Sequence, residues 1–436
     1  MSHSAHKAGV NIRQHVDVCI GQAGTPVGSL TYVRQGQREN TAFAYAASWL
    51  ARPERFQISP ELALTADYQQ RKAPSRSDSP FHYALADTAP DAWGRRVIAR
   101  AHAKQRSQQP ALGALTELDY LLAVDDFSRV GALRLRDTAG NFLRTSADGQ
   151  RNTPPLMELP HMLSASRAIE MGDETAQDLL YLQGKGTSLG GMRPKCTVVD
   201  ERGQLAIGKF PSVGDSRSVT RGEVLAMRLA QLAGIDAANA RIVEVEGTPV
   251  AVIERFDRTP DGKRIPYLSA ASMLQASREE DRSYFEIADV IRAHGAQPIQ
   301  DLQQLWRRML FNLLICNVDD HLQNHGFLHV ASGQWQLAPA FDMNPFPDKD
   351  RESKTWLSEQ AGPIVDVRTL LAHCAYFALT PVQAQQVLAE VAKAVAGWKA
   401  LAQSPAVGLQ AHALNDFAPA FESPYLQQAL ARTSGG

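Results

Sequence analysis

Between residues 195 and 256 the chain alternates short apolar, β-forming runs with tight turns, and beyond residue 270 the pattern changes to helical periodicity. The runs CTVVD, QLAIGKF, ARIVEVEG and PVAVIERF are each the length of a buried strand, and the turn ERG separates the first two. A helical stretch from about Ser218 to Ala233 separates the two pairs. Residues 302–316 place Leu302, Leu305, Trp306, Met309, Leu310, Leu313 and Leu314 at i, i+3, i+4 spacing, the stripe of a core-facing helix. HGFLHV and QWQLAPAF around Ser332-Gly333 read as a hairpin between helices. Strands first and helices later imply an α+β chain with two lobes, a mixed or antiparallel sheet in the first and mainly helices in the second.

Ahead of these lobes the reading is again α/β. Residues 15–35 read as strand, turn and strand (VDVCIG, AGTPVG, SLTYV), followed by a short helix AFAYAASWLA. RKAPSRSDSPF reads as an exposed loop, and a helix is expected around Trp93–Lys104. After a stretch ending in VGALRL, residues 137–160 become polar and rich in turn formers, which marks a junction. A helix over 160–182 is expected next. The expected division is an amino-terminal subdomain over 15–136, a strand-bearing lobe over 155–258 and a helical lobe over 259–432. A chain of 436 residues has room for two or three such cores.

Composition excludes several classes. With 45 basic against 46 acidic residues, the chain has no overall basic field to hold nucleic acid. Cys19, Cys196, Cys316 and Cys374 are far apart and form no CxxC, which fits a reducing cytoplasm. The start has no apolar core of the signal-peptide kind, and no stretch has the length and apolarity of a membrane span. A soluble cytoplasmic chain is expected.

The segment CNVDDHLQNHGF carries the most chemistry. Asp319 and Asn324 stand five positions apart, the offset at which a protein-kinase loop supplies a carboxylate for the acceptor hydroxyl and an amide oxygen for magnesium. Asp320 would stand at four, so Asp319 is the better base candidate. Taken alone, such residues in a loop more commonly serve as turn and cap residues. Eighteen residues after Asn324, LAPAFDMNP places Asp342 at an expected strand end, where a second metal-binding carboxylate is needed. Lys209, on the apolar strand QLAIGKF, either snorkels or reaches nucleotide phosphates, with Glu223 on the next helix as a possible pair. The glycine-rich stretch 184–195 lets backbone amides approach phosphate but fits neither the Walker A nor the GxGxxG pattern. Glu254 and Phe256, at the end of PVAVIERF, suit either a connection that hydrogen-bonds adenine or a plain solvated strand end. Cys316, His321, His325 and His329 lack tight zinc-ligand spacing.

Assembled, these stretches resemble the HipA family of serine/threonine kinases, toxins of bacterial toxin–antitoxin pairs. VGSLTYV, FHYALADTAPDAWGRR and VGALRL are similar to its amino-terminal part. TSLGGMRPK, IGKFPS, VIERFDR, NVDDHLQNHGF and LAPAFDMNP are similar to its catalytic half, in the family's order. The resemblance implies a two-lobed protein-kinase-like fold, ATP and Mg²⁺. It implies Asp319 as catalytic base, Asn324 and Asp342 as magnesium ligands, and Lys209 as the phosphate lysine. Gly190, Gly191, Met192, Arg193, Lys195, Glu254, Arg255, Phe256 and His321 would surround the nucleotide, and Ser188 would be the autophosphorylated loop serine. Arg193 departs from the family's frequent Gln. The implied partners are a small helix-turn-helix (HipB-like) antitoxin, through which DNA is bound indirectly, and a protein substrate, an aminoacyl-tRNA synthetase being the expected one. A silent pseudokinase co-repressor and a kinase of small-molecule hydroxyls remain the alternatives.

Overall fold

The computed structural model describes residues 11–73, 75, 77–145, 153–182, 191–277, 280–348 and 352–433. Strands β1 (Asn11–Ile20), β2 (Thr25–Gln35), β3 (Arg38–Tyr45), β4 (Gln69–Lys72) and β5 (Leu133–Arg136) form one antiparallel sheet in the order β4-β3-β2-β1-β5. The second sheet is also antiparallel. It contains β6 (Lys195–Val199), β7 (Leu205–Lys209), β8 (Ala240–Val245) and β9 (Thr248–Glu254) in the order β6-β7-β9-β8. Strands β10 (Tyr267–Ser269), β11 (Gly326–Ala331) and β12 (Gln334–Leu337) form the third, in chain order. The fold is therefore mixed α+β with antiparallel sheets.

Each sheet is held by what its sequence pattern buries. In the first, Val16, Val18, Leu30, Tyr32 and Phe43 point into the main core. In the second, every residue of β6 and β7 is buried, because the helix Val219–Leu232 covers one face and the helix Leu159–Met171 the other. The helix Pro298–Leu314 starts with proline at its first position and buries the expected leucine stripe, with Trp306 Nε1 donating to the Leu370 carbonyl at 3.1 Å. Packing this stripe among the helices of residues 284–294, 367–372 and 381–396 makes the carboxyl-terminal lobe mainly helical.

Three local expectations are corrected. AFAYAASWLA is not a helix: β3 runs through Tyr45 and only Ala47–Leu50 is helical. Register pairing of Ala42–Tyr45 with β2 overrides the helix preference of alanine. That pairing needs Gly28, since a Cβ there would stand 2.3 Å from the Ala44 carbonyl oxygen. The helix expected over 160–182 is two helices, Leu159–Met171 and Ala176–Leu182, broken where Gly172 takes φ +86°. The strand QWQLAPAF ends at Leu337, so Asp342 lies beyond it in irregular backbone.

A buried ionic cluster joins the amino-terminal sheet to the carboxyl-terminal part of the chain. Asp257 accepts from the Arg255 guanidinium at 2.5 Å, from Arg258 at 2.8 Å and from the Gly131 N–H at 2.8 Å. Burial opposes its charge, yet the two guanidinium groups hold its pKa far below the carboxylate range. Asp126 pairs with Arg134 at 2.7 Å and with Arg264 at 3.4 Å, from the two sides of the same junction. Among the described residues, no helix is long and apolar enough to cross a membrane.

Candidate active site

Lys209 is the last residue of β7, where the strand delivers its side chain to the edge of a cleft. Its ammonium donates to Glu223 Oε1 at 2.5 Å and to Asp342 Oδ1 at 2.6 Å. Glu223 comes from the helix Val219–Leu232 packed behind the sheet, and Asp342 from the segment after β12. Burial works against the lysine charge, but the carboxylates of Asp342 and then Glu223 outweigh it and raise its pKa above the ordinary value. Asp342 is the mirror case. Burial would raise its pKa, yet Lys209, and after it Lys195, bring it down to about 2. Glu223 is pushed up, burial exceeding the help it receives from Lys209. Asp342 also has φ +55°, a left-handed conformation that a non-glycine residue holds only when its surroundings impose it. Asn344 Nδ2 donates to Asp342 Oδ1 at 3.1 Å.

The loop after the helix Pro298–Leu314 is organised by Asp320 rather than by Asp319. Asp320 is buried and accepts from Tyr284 Oη and from Asn312 Nδ2, the latter at 2.6 Å, with His325 Nε2 at 3.0 Å from its other oxygen. Its main-chain carbonyl accepts from Thr355 Oγ1 at 2.5 Å. Asp320 is thus the anchor of the loop, an explanation its sequence position did not supply. Asp319, next to it, faces outward; Lys354 Nζ stands 3.1 Å from its Oδ1, and the lysine side chain is 61% exposed. Asn324 Nδ2 donates to the Asp319 carbonyl at 3.0 Å, which fixes the amide plane, while its buried Oδ1 has no hydrogen-bond partner. A buried amide oxygen without a donor is costly unless an electrophile completes it, and an amide oxygen together with a carboxylate is a donor set that suits the oxygen-seeking Mg²⁺. His321 contributes to the low pKa of Asp342 and has a buried Nδ1 with no hydrogen-bond partner.

The cleft beside Lys209 is mostly apolar, with Val130, Ile207, Ile253, Tyr267 and Phe341 on its walls. Phe256 lines it and packs on Phe341 at 5.4 Å between ring centroids. Glu254 also lines it, but its carboxylate is paired with Arg202 and accepts from Asn239 Nδ2 at 3.0 Å. The Arg255 guanidinium is committed to Asp257 and to the Ser128 carbonyl, both at 2.5 Å, so it serves the junction between subdomains. Gly191 takes φ +91°, Met192 is 80% exposed, and Arg193 pairs with Asp215. Lys195 is buried at the start of β6. Ser188 and Gly190 lie outside the described residues. The four residues weighed for zinc do not converge. His325 serves Asp320, His329 stacks on Phe56, and no metal-competent cluster of His, Cys, Asp and Glu occurs among the described residues.

Two family models match this chain, the HipA N-terminal domain over residues 17–119 and the HipA-like C-terminal domain over residues 187–398, together well over half of it. The chain belongs to the HipA family. Among its relatives, the Y4mE protein of Sinorhizobium fredii, named provisionally as a kinase, is 26% identical over 343 residues, 73% of this chain and 75% of that one. The serine/threonine-protein kinase toxin HipA of Shewanella oneidensis is 28% identical over 142 residues, 28% of this chain and 33% of that one. A chain in the solved complex of the Shewanella oneidensis toxin–antitoxin system, with HipA, HipB and operator DNA, superposes with a TM-score of 0.65. It is 16% identical and covers 96% of both chains, which establishes the HipA fold for this protein.

Sequence reasoning did not single out Asp91, Asp257 or Lys354, and it left Asp320 uninterpreted. Asp257 had a usable signal, since an aspartate between two arginines in ERFDR is unusual at a strand end. Lys354 had none. It stands in a polar stretch, and only the fold brings it to Asp319.

Proposed function

We propose that this HipA-family chain is an ATP- and Mg²⁺-dependent serine/threonine protein kinase. The observation that carries the reading is the buried contact of Lys209 with both Glu223 and Asp342. It links the strand-bearing lobe to the segment after the catalytic loop, at the mouth of an apolar cleft. In this reading the cleft takes adenine against Phe256 and Phe341, with Lys209 and Lys195 facing the phosphates. Asn324 and Asp342 hold Mg²⁺, which when bound neutralises phosphate charge. Asp319 orients the acceptor hydroxyl and takes its proton as the oxygen bonds to the γ-phosphorus. The bond to the bridging oxygen breaks and ADP leaves. His321 supplies a polar group between the loop and Asp342. Gly190, Gly191, Met192 and Arg193 cover the phosphates, and Ser188 is the site of autophosphorylation, where added charge would oppose the bound phosphates. Glu254 and Arg255 contribute to the adenine side through the strand they end.

The family and the fold support a toxin role, with a small helix-turn-helix antitoxin as partner and DNA reached through that partner. A near-zero net charge suits indirect binding. The substrate is a protein of translation, an aminoacyl-tRNA synthetase, in the cytoplasm. Purified protein incubated with Mg·ATP should carry phosphate on Ser188 by mass spectrometry, and Asp319→Ala should not. Overexpression of the wild type should slow growth, and Asp342→Ala should grow normally. Equal growth and no phosphate on either chain would favour a binding module that acts without phosphotransfer.

A further inference from the structure

Lys195 and Lys209 face one another across β6 and β7 in register. Side chains of a directly opposed pair stand on the same face of the sheet, where like charges repel. Each buried ammonium therefore needs its own counter-charge. Lys209 has Glu223 and Asp342, both from the catalytic half. Lys195 also acts on those two carboxylates, and a further counter-charge reaches it from outside that half. Asp91 lies in the amino-terminal subdomain, and its Oδ2 is 3.3 Å from Lys195 Nζ, with both side chains about 95% buried. Its other oxygen, Oδ1, accepts the Gly94 N–H at 2.7 Å and so caps the helix Ala92–Gln108. One carboxylate thus fixes a helix start with one oxygen and a buried lysine with the other.

The position of Lys195 makes this more than a fold contact. Its charge is felt at Asp342, and the carboxyl-terminal side of the Gly-rich stretch wraps it closely: a Cβ on Gly191 would stand 3.3 Å from Nζ. A free lysine side chain has many rotamers, and the Asp91 contact restricts them before any ligand arrives. We infer that Asp91 is a positioning residue contributed by the amino-terminal subdomain, holding the Lys195 ammonium for nucleotide phosphate, so that the catalytic half is incomplete without residues 17–119. This rests on the nucleotide reading above.

The test is calorimetric titration of the full chain with Mg·ATP for the wild type, Asp91→Asn, Lys195→Met and the double variant. Asparagine caps a helix as well as aspartate, so Asp91→Asn removes the charge and keeps the cap. The expected result is binding about tenfold weaker for Asp91→Asn, a Tm that falls and is recovered in the double variant, and a double variant that binds no more weakly than Lys195→Met alone. In phosphotransfer the loss should fall on the KM for ATP rather than on kcat. Asp91→Asn binding within threefold of wild type, or tighter, overturns the inference and leaves the nucleotide reading standing. A wild-type chain that does not bind Mg·ATP overturns the nucleotide reading itself. Should Asp91→Asn alone fail to fold, the double variant decides. Removing the Lys195 cation restores folding if the pair is as described, and a double variant that also fails overturns it.

Discussion

Lys209 and Asp342 are 133 residues apart in the chain, and their charged atoms are 2.6 Å apart in the fold. This contact joins the last residue of β7 to the irregular segment after β12, and Glu223 completes it from the helix behind. One cation thus stands between two carboxylates from different elements. Losing it removes the largest compensating charge from both.

Lys209→Met should therefore cost stability as well as chemistry. Breaking a buried ion pair from one side typically destabilises by about 3 kcal/mol, because the remaining charge stays buried. Urea unfolding should show a loss of that size together with lost phosphotransfer. Wild-type stability in this variant would mean that Glu223 and Asp342 reach solvent without the lysine.

Adjacent aspartates should behave in opposite ways. Asp319 is partly exposed, with only its carbonyl and one lysine contact tied to the loop, so Asp319→Asn should abolish phosphotransfer and change stability by less than about 1 kcal/mol. Asp320 is buried under Tyr284, Asn312 and His325, so Asp320→Ala should destabilise by about 3 kcal/mol or more. Thermal unfolding of the two variants side by side separates the outward-facing aspartate from the anchor. A stable Asp320→Ala would remove the anchor assignment.

His329 gives the fold a pH dependence. Its ring stacks on Phe56 at 3.8 Å and accepts the Gly333 N–H at Nε2, which only the neutral ring can do. Burial lowers its pKa from the usual 6.5 to about 4. The unfolded chain therefore takes up a proton that the folded chain refuses. The contribution is complete above about pH 6.5 and is lost as pH falls toward 4; a shift of this size is worth at most about 3 kcal/mol, and solvent screening of the partly exposed ring brings it to about 2 kcal/mol. The difference in unfolding free energy between the wild type and His329→Leu should change by that amount over this window. A constant difference from pH 7 to 4 would show that the ring titrates normally.

Asp257→Ala should loosen the junction between the amino-terminal subdomain and the catalytic half. The variant leaves the Arg255 and Arg258 guanidinium groups and the Gly131 N–H without their acceptor in a buried place. A loss of about 3 kcal/mol is expected, with limited proteolysis opening the chain between residues 120 and 160 before either half unfolds. Cleavage no faster than in the wild type would place the junction's strength elsewhere.

The strands CTVVD and QLAIGKF, the helix that follows them and the leucine stripe from Leu302 to Leu314 were all legible from local pattern, because burial on one face imposes a period on the chain itself. The five-residue offset of Asp319 and Asn324 was legible for a similar reason, since both belong to one short loop whose backbone fixes their relation. AFAYAASWLA was misread because alanine-rich sequence favours helix locally, while the partner that makes it a strand lies in β2.

What the chain determined unaided is therefore everything whose physical cause lies within a turn or two: periodicity, caps, turns and the residue types available to a site. Packing alone decided which charges meet. Nothing near Lys209 in sequence specifies Asp342, nothing near Lys195 specifies Asp91, and the difference between Asp319 and Asp320 is only which of two neighbours faces the core. Coulomb energy and desolvation depend on distance and burial in three dimensions, and those are set when the lobes and the amino-terminal subdomain close on one another.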